Sequence, residues 1–85
     1  LKQFQYKVRD PQGMHARPAG ILSAEAKKFT SKLTVKAGGE SADLKKILSV
    51  MGLAVKCGDT LTINVEGDDE IAAAKVMEEV FKKNF

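Results

Sequence analysis

The run Thr60-Leu61-Thr62-Ile63-Asn64-Val65-Glu66 alternates polar and apolar side chains without a break, and a period of two on this scale requires a strand with one buried face. Such a strand needs neighbours to pair with and a layer to cover its apolar side. The same alternation recurs where Phe4, Tyr6 and Val8 are set against Gln3, Gln5 and Lys7, and where Leu33, Val35 and Ala37 are set against Lys32, Thr34 and Lys36. The first strand is therefore expected to end near Val8. Gly38-Gly39 reads as a two-residue hairpin turn into a short polar strand, Glu40 to Asp43, of the kind that suits a sheet edge.

Helical spacing fills the intervals. From Ala16 onward, Ala19, Leu22, Ala26 and Phe29 recur at three, four and three residues, one stripe of an amphipathic helix. A second helix is predicted over Leu44 to Leu53. Its apolar residues Leu44, Ile47, Leu48, Val50, Met51 and Leu53 are too many for one inward stripe, so some must face out; Leu44, Val50 and Leu53 are assigned to the core. Asp68-Asp69-Glu70 offers an N-cap and first-turn acids for a last helix near Glu70 to Lys83. Lys82-Lys83 stands at the end that the helix dipole prefers for cations. That helix is expected to turn Ile71, Ala74, Met77 and Phe81 inward. The order βαββαβα implies an α+β open-faced sandwich, a four-stranded antiparallel sheet with three helices on one face. The pattern by itself also permits the ferredoxin-like strand order 4-1-3-2.

Eighty-five residues suit one domain, spanning 1–85, with room to bury only about 60% of the unfolded chain's surface. No apolar run approaches the roughly 20 residues of a membrane span, the first residues do not read as a signal peptide, and a cytoplasmic protein with no membrane insertion is expected. One histidine, His15, and one cysteine, Cys57, leave no ligand set for a tetrahedral metal site and no intrachain disulfide; neither metal nor cofactor is expected. The formal charge of +3 suits an acidic or phosphate-bearing partner. An RNA-binding sheet of this topology would carry stacking aromatics on its central strands. The third strand, Glu40-Ser41-Ala42-Asp43, has none, and no nucleic-acid partner is expected.

The remaining chemistry is concentrated in Gly13-Met14-His15-Ala16-Arg17-Pro18-Ala19-Gly20. Asp10-Pro11-Gln12-Gly13 is turn chemistry between the first strand and the first helix, and Pro18 is tolerated only within a helix's first turn. His15 then stands where the first N–H groups of a helix have no intrahelical partner and attract anions. Imidazole is a nucleophile near neutral pH, and Arg17 adds a guanidinium fork suited to phosphate oxygens.

The stretch from Gly13 to Ala19 resembles the phosphorylation-site motif of the HPr family, the histidine-containing phosphocarriers of the bacterial sugar phosphotransferase system. The resemblance runs from Phe4 to Phe81 and includes Lys45, Ile47, Leu48, Val50, Met51, Leu53 and Gly58. It implies strand order 1-4-2-3, with the fourth strand central. It implies that His15 accepts a phosphoryl group on Nδ1 from phospho-enzyme I and donates it to a histidine of an enzyme IIA domain, with Arg17 as the phosphate's counter-charge. This makes the chain a carrier rather than a free-standing enzyme, and a monomer is expected. Partner docking is implied for Ile47, Leu48 and Met51, with Gly20, Lys27 and Lys45 around them. A regulatory or nitrogen-branch paralogue using the same histidine is the alternative. One position departs from many Gram-positive members, which carry after Lys45 a serine phosphorylated by an ATP-dependent kinase. Here that position is Lys46.

Overall fold

The computed structural model describes residues 1–84. Its elements are β1 (Lys2–Lys7), α1 (Ala16–Ala26), β2 (Lys32–Ala37), β3 (Glu40–Asp43), α2 (Ile47–Met51), β4 (Thr60–Glu66) and α3 (Glu70–Asn84). The strands form one antiparallel sheet in the order β1-β4-β2-β3. β4, the most regular alternation in the sequence, lies between β1 and β2, and the ferredoxin-like order is excluded.

Register follows from the alternation. Phe4 lies opposite Ile63 and Tyr6 opposite Leu61, while Leu33 meets Val65 and Val35 meets Ile63, so a single face of the sheet is apolar. Against it pack Ala19, Leu22 and Ala26 of α1, Val50 of α2, and Ala73, Met77 and Phe81 of α3, all buried. Phe81 is the keystone: its ring meets Phe4 edge-on at 5.8 Å between centroids and Tyr6 at 5.7 Å. Full burial of a side chain of this size contributes roughly 1.5–3 kcal/mol. The opposite face is polar, and there Gln3 Nε2 donates across the β1–β4 pair to Asn64 Oδ1 at 2.7 Å. Gly38 and Gly39 both take positive φ, 55° and 87°, as a two-residue turn with the twist of its flanking strands requires. Among the described residues no helix is long and apolar enough to cross a membrane.

Five local expectations are corrected. α2 begins at Ile47, not Leu44, because Leu44 N–H extends the sheet ladder to Leu33 O and Asp43 Oδ1 takes the Lys45 N–H. Leu44 is nonetheless fully buried, while Leu53 is only half-buried against the core. Phe29 lies past the end of α1, in a tightened turn in which its N–H donates to Ala26 O. Ile71 is 70% exposed, and Ala73 occupies the inward position instead. At 3.6 residues per turn Ile71 sits about 120° from the centre of the face made by Ala73, Met77 and Phe81. Finally, the Asp69 carboxylate does not cap its own helix; it accepts the N–H groups of Thr30 and Ser31, each at 2.9 Å, and the Ser31 hydroxyl. Glu70 supplies the local bond, accepting the Gly67 N–H on Oε1 at 3.2 Å.

Candidate functional site

β1 runs out at Lys7, and Val8 keeps the direction by donating to Asp59 O and accepting from Gly58 N–H. The chain then reverses through residues 10–13, where Gly13 N–H closes on Asp10 O at 2.9 Å. Gly13 has φ +65°, and a side chain there would run into the carbonyl of Val55. Glycine is thus required twice, for its dihedral and for the close approach of the 54–59 turn. Met14, largely buried, donates its N–H to Val55 O at 3.0 Å. This pins the residue just before His15 to one forty-one positions away in the sequence. The carbonyl at issue follows Ala54, which holds φ +53° without being glycine.

His15 is the N-cap of α1, with extended backbone (φ −126°, ψ −178°) and no side-chain bond to the helix. Its carbonyl accepts the first helical N–H, that of Ala19, at 3.1 Å. The amides of Ala16 and Arg17 therefore precede the hydrogen-bonded ladder, and Pro18 has no N–H to leave unpaired. These donors, the positive end of an eleven-residue helix and the exposed Arg17 side chain make the surroundings of His15 attractive to a dianion.

One partner was not read from the sequence. Asp10 Oδ2 lies 3.3 Å from His15 Nε2, and Oδ1 accepts the Gln12 N–H at 2.9 Å. That backbone bond does most to hold the Asp10 carboxyl below its ordinary value, with His15 and Arg17 adding to it. An ionised carboxylate only accepts hydrogen bonds, so the contact favours the tautomer with its proton on Nε2 and its lone pair on Nδ1. The signal available was an acid five residues ahead of the only histidine. Asp10 also opens the turn Asp10-Pro11-Gln12-Gly13, a role its composition suits equally well.

The other candidate residues form a second group, on α2 and the residues just before it and on α1 and its C-cap. Leu48 is 81% exposed and Ile47 37%, whereas Met51 is half-buried against the core. Gly20 faces Ile47, whose Cδ1 would lie 3.6 Å from an added Cβ, an ordinary contact between the two helices. Lys27, Lys45, Lys46, Ile47, Leu48 and Ser49 line one shallow groove with Asp43. Lys45 is tethered there: its Nζ donates to Phe29 O at 2.8 Å and its carbonyl accepts from Ser23 Oγ at 2.8 Å. Among the described residues no cluster of three or more histidine, cysteine or acidic side chains could hold a metal ion.

A family model described as "PTS HPr component phosphorylation site" matches residues 2–83. The chain belongs to the HPr family. It is 40% identical over 85 residues to the phosphocarrier protein HPr of Mycoplasma genitalium, covering 99% of this chain and 97% of that one. It is 47% identical over 77 residues to the HPr of Lysinibacillus sphaericus, covering 91% and 88%. A solved mycoplasma histidine-containing phosphocarrier protein superposes with a TM-score of 0.94 at 35% identity, over 96% of this chain and 93% of that one. An HPr structure from Thermoanaerobacter tengcongensis gives 0.93 at 30% identity, over 100% and 96%. The βαββαβα sandwich with strand order 1-4-2-3 is thus the HPr fold, and the chain is an HPr-type phosphocarrier of the phosphotransferase system.

Proposed function

We propose that His15 is the residue that carries the phosphoryl group, accepting it on Nδ1 from phospho-enzyme I and donating it to a histidine of an enzyme IIA domain. The observation that carries this reading is the His15–Asp10 contact at the N-terminus of α1. It favours Nδ1 as the nucleophilic atom of a ring that stands at the helix end where the amides are unpaired. Phosphoryl transfer asks the protein chiefly for alignment and for stabilisation of charge on the equatorial oxygens. The Ala16 and Arg17 amides and the Arg17 guanidinium are the groups suited to that stabilisation. A phosphoramidate remains reactive enough to pass its group onward. Docking of both partners is assigned to the apolar pair Ile47 and Leu48 with the edge of Met51 and the close-packed Gly20, and the cations Lys27 and Lys45 meet acidic partner surfaces. A cytoplasmic location and a monomeric state belong to the same reading.

The test is incubation with phosphoenolpyruvate and enzyme I, read by intact mass spectrometry under mildly alkaline conditions. One added phosphoryl group is expected, acid-labile and alkali-stable, and absent from His15→Ala. A phosphate that persists on the alanine variant would remove His15 from the role.

A further inference from the structure

Asp10 divides its carboxylate between two tasks. Oδ1 accepts the Gln12 N–H and fixes the turn, and Oδ2 faces His15 Nε2. The span between the two residues is closed by the Gly13 N–H to Asp10 O bond and anchored by Met14 N–H on Val55 O, so the backbone sets the two side chains beside each other. Their side chains are 15% and 30% exposed, and a pair so shielded is screened less than one on the open surface. The other charged groups near the pair are Arg17 on α1, which acts on Asp10, Arg9 beside Asp10 in the chain, and in the 54–59 turn the exposed Lys56, whose Cα stands against Gly13, with Asp59, whose carboxylate takes the Lys56 N–H. Among the described residues the one ion pair of the His15 ring is with Asp10.

We propose that Asp10 is a positioning residue for phosphoryl transfer through His15: its carboxylate keeps the proton on Nε2 both before and after Nδ1 bears the phosphoryl group. The proposal rests on the carrier reading above. In the accepting step the Nδ1 lone pair forms the new N–P bond, the donor's N–P bond breaks, and that bond's electron pair returns to the donor. The ring becomes a phosphorylated imidazolium, with Nε2–H directed at the Asp10 carboxylate, which opposes its positive charge. In the donating step the Nδ1–P bond breaks and its electron pair returns to Nδ1, leaving neutral imidazole with Nε2–H still in place. No proton enters or leaves in either direction. Were Nε2 unprotonated, the leaving group would be an imidazolide anion, a far poorer one. Asp10 thus serves acceptance by exposing the correct lone pair, and release by keeping the leaving group neutral.

Asp10→Asn separates this role from support of the turn. Its amide oxygen can still take the Gln12 N–H, while its NH2 group faces Nε2 as a donor and favours the Nδ1–H tautomer. Ring nitrogen NMR on 15N-labelled protein is expected to show the Nε2–H tautomer in the wild type and a shift toward Nδ1–H in Asp10→Asn. The initial rate of phosphorylation by phospho-enzyme I should fall about ten-fold or more, with the thermal midpoint little changed, and Asp10→Glu should recover part of the rate. The alkaline limb of onward transfer should move to lower pH in Asp10→Asn. An Nδ1–H tautomer in the wild type, or an Asp10→Asn variant with wild-type rate and pH profile, overturns the proposal while leaving His15 as the carrier. A wild-type protein that accepts no phosphoryl group overturns the carrier reading itself, and the tautomer measurement then reports the Asp10–His15 contact alone.

Discussion

The Asp69 carboxylate accepts the Ser31 N–H at 2.9 Å and the Ser31 hydroxyl, tying the turn ahead of α3 to the start of β2. With the Thr30 N–H also bound, these bonds hold the Asp69 carboxyl down to about 2 from 3.8, the Ser31 hydroxyl contributing most. A carboxyl lowered on folding stabilises the folded state above its unfolded value, and that contribution is lost as pH falls through its folded value. The stability difference between wild type and Asp69→Asn should therefore be constant above about pH 5. It should narrow between 3.8 and about 2. Urea midpoints measured across this range check the prediction, and a difference independent of pH would contradict it.

Gly13→Ala should be among the most damaging small substitutions in the chain. It places a side chain at φ +65° and against the Val55 carbonyl, so the 54–59 turn must retreat and the Met14 N–H loses its acceptor. A cost of about 2 kcal/mol or more is expected, measured by chemical denaturation. Loss of phosphoryl acceptance should accompany it, because His15 follows Met14 directly.

Leu48→Asp should weaken enzyme I binding by about 2 kcal/mol and change stability by no more than about 0.5 kcal/mol, since the side chain is 81% exposed. Met51→Asp should differ by also lowering stability, because Met51 packs against the core. Calorimetric titration alongside thermal melts distinguishes the two. Unaltered binding by Leu48→Asp would remove this face from the docking surface.

Lys46 is the N-cap of α2, extended at φ −113° and making no side-chain cap bond. Serine is favoured at such a position and a cation is disfavoured, so Lys46→Ser should raise stability by about 1 kcal/mol. The same variant should become a substrate for an ATP-dependent HPr kinase while the parent chain does not. Modification of the parent at Ser49 or Ser41 would show that a serine-based switch resides elsewhere in this protein.

The sequence was most legible where a periodic pattern answered to one burying surface. The alternations of β1, β2 and β4 carried the sheet, and the motif around His15 carried the family. It was least legible where a side chain spends its hydrogen bonds across the chain. Asp69 has the composition of a helix cap, yet it serves Thr30 and Ser31, thirty-nine and thirty-eight residues earlier. Asp10 has the composition of a turn, yet it faces His15, a spacing that neither helix nor strand periodicity brings together. Leu44 is apolar and buried as a helix residue would be, but its amide belongs to the sheet. Ile71 is apolar and outward, because Ala73, Met77 and Phe81 already fill the face of α3 that meets β1 and β4.

The central place of β4 sets the order in which this protein can mature. β1 is made first, but its partner spans residues 60–66, and the Val55 carbonyl that anchors Met14 is also synthesised late. A growing chain therefore carries its histidine for some forty residues before that anchor exists, and longer before β4 can join β1 to β2 and close the sheet. Long-range closures of this kind are slow steps in folding, and until they occur the segment that bears His15 lacks the anchor of Met14 on Val55. On the carrier reading of His15, competence to carry phosphate waits on completion of the fold, and unfinished chains are expected to draw little phosphate from their donor.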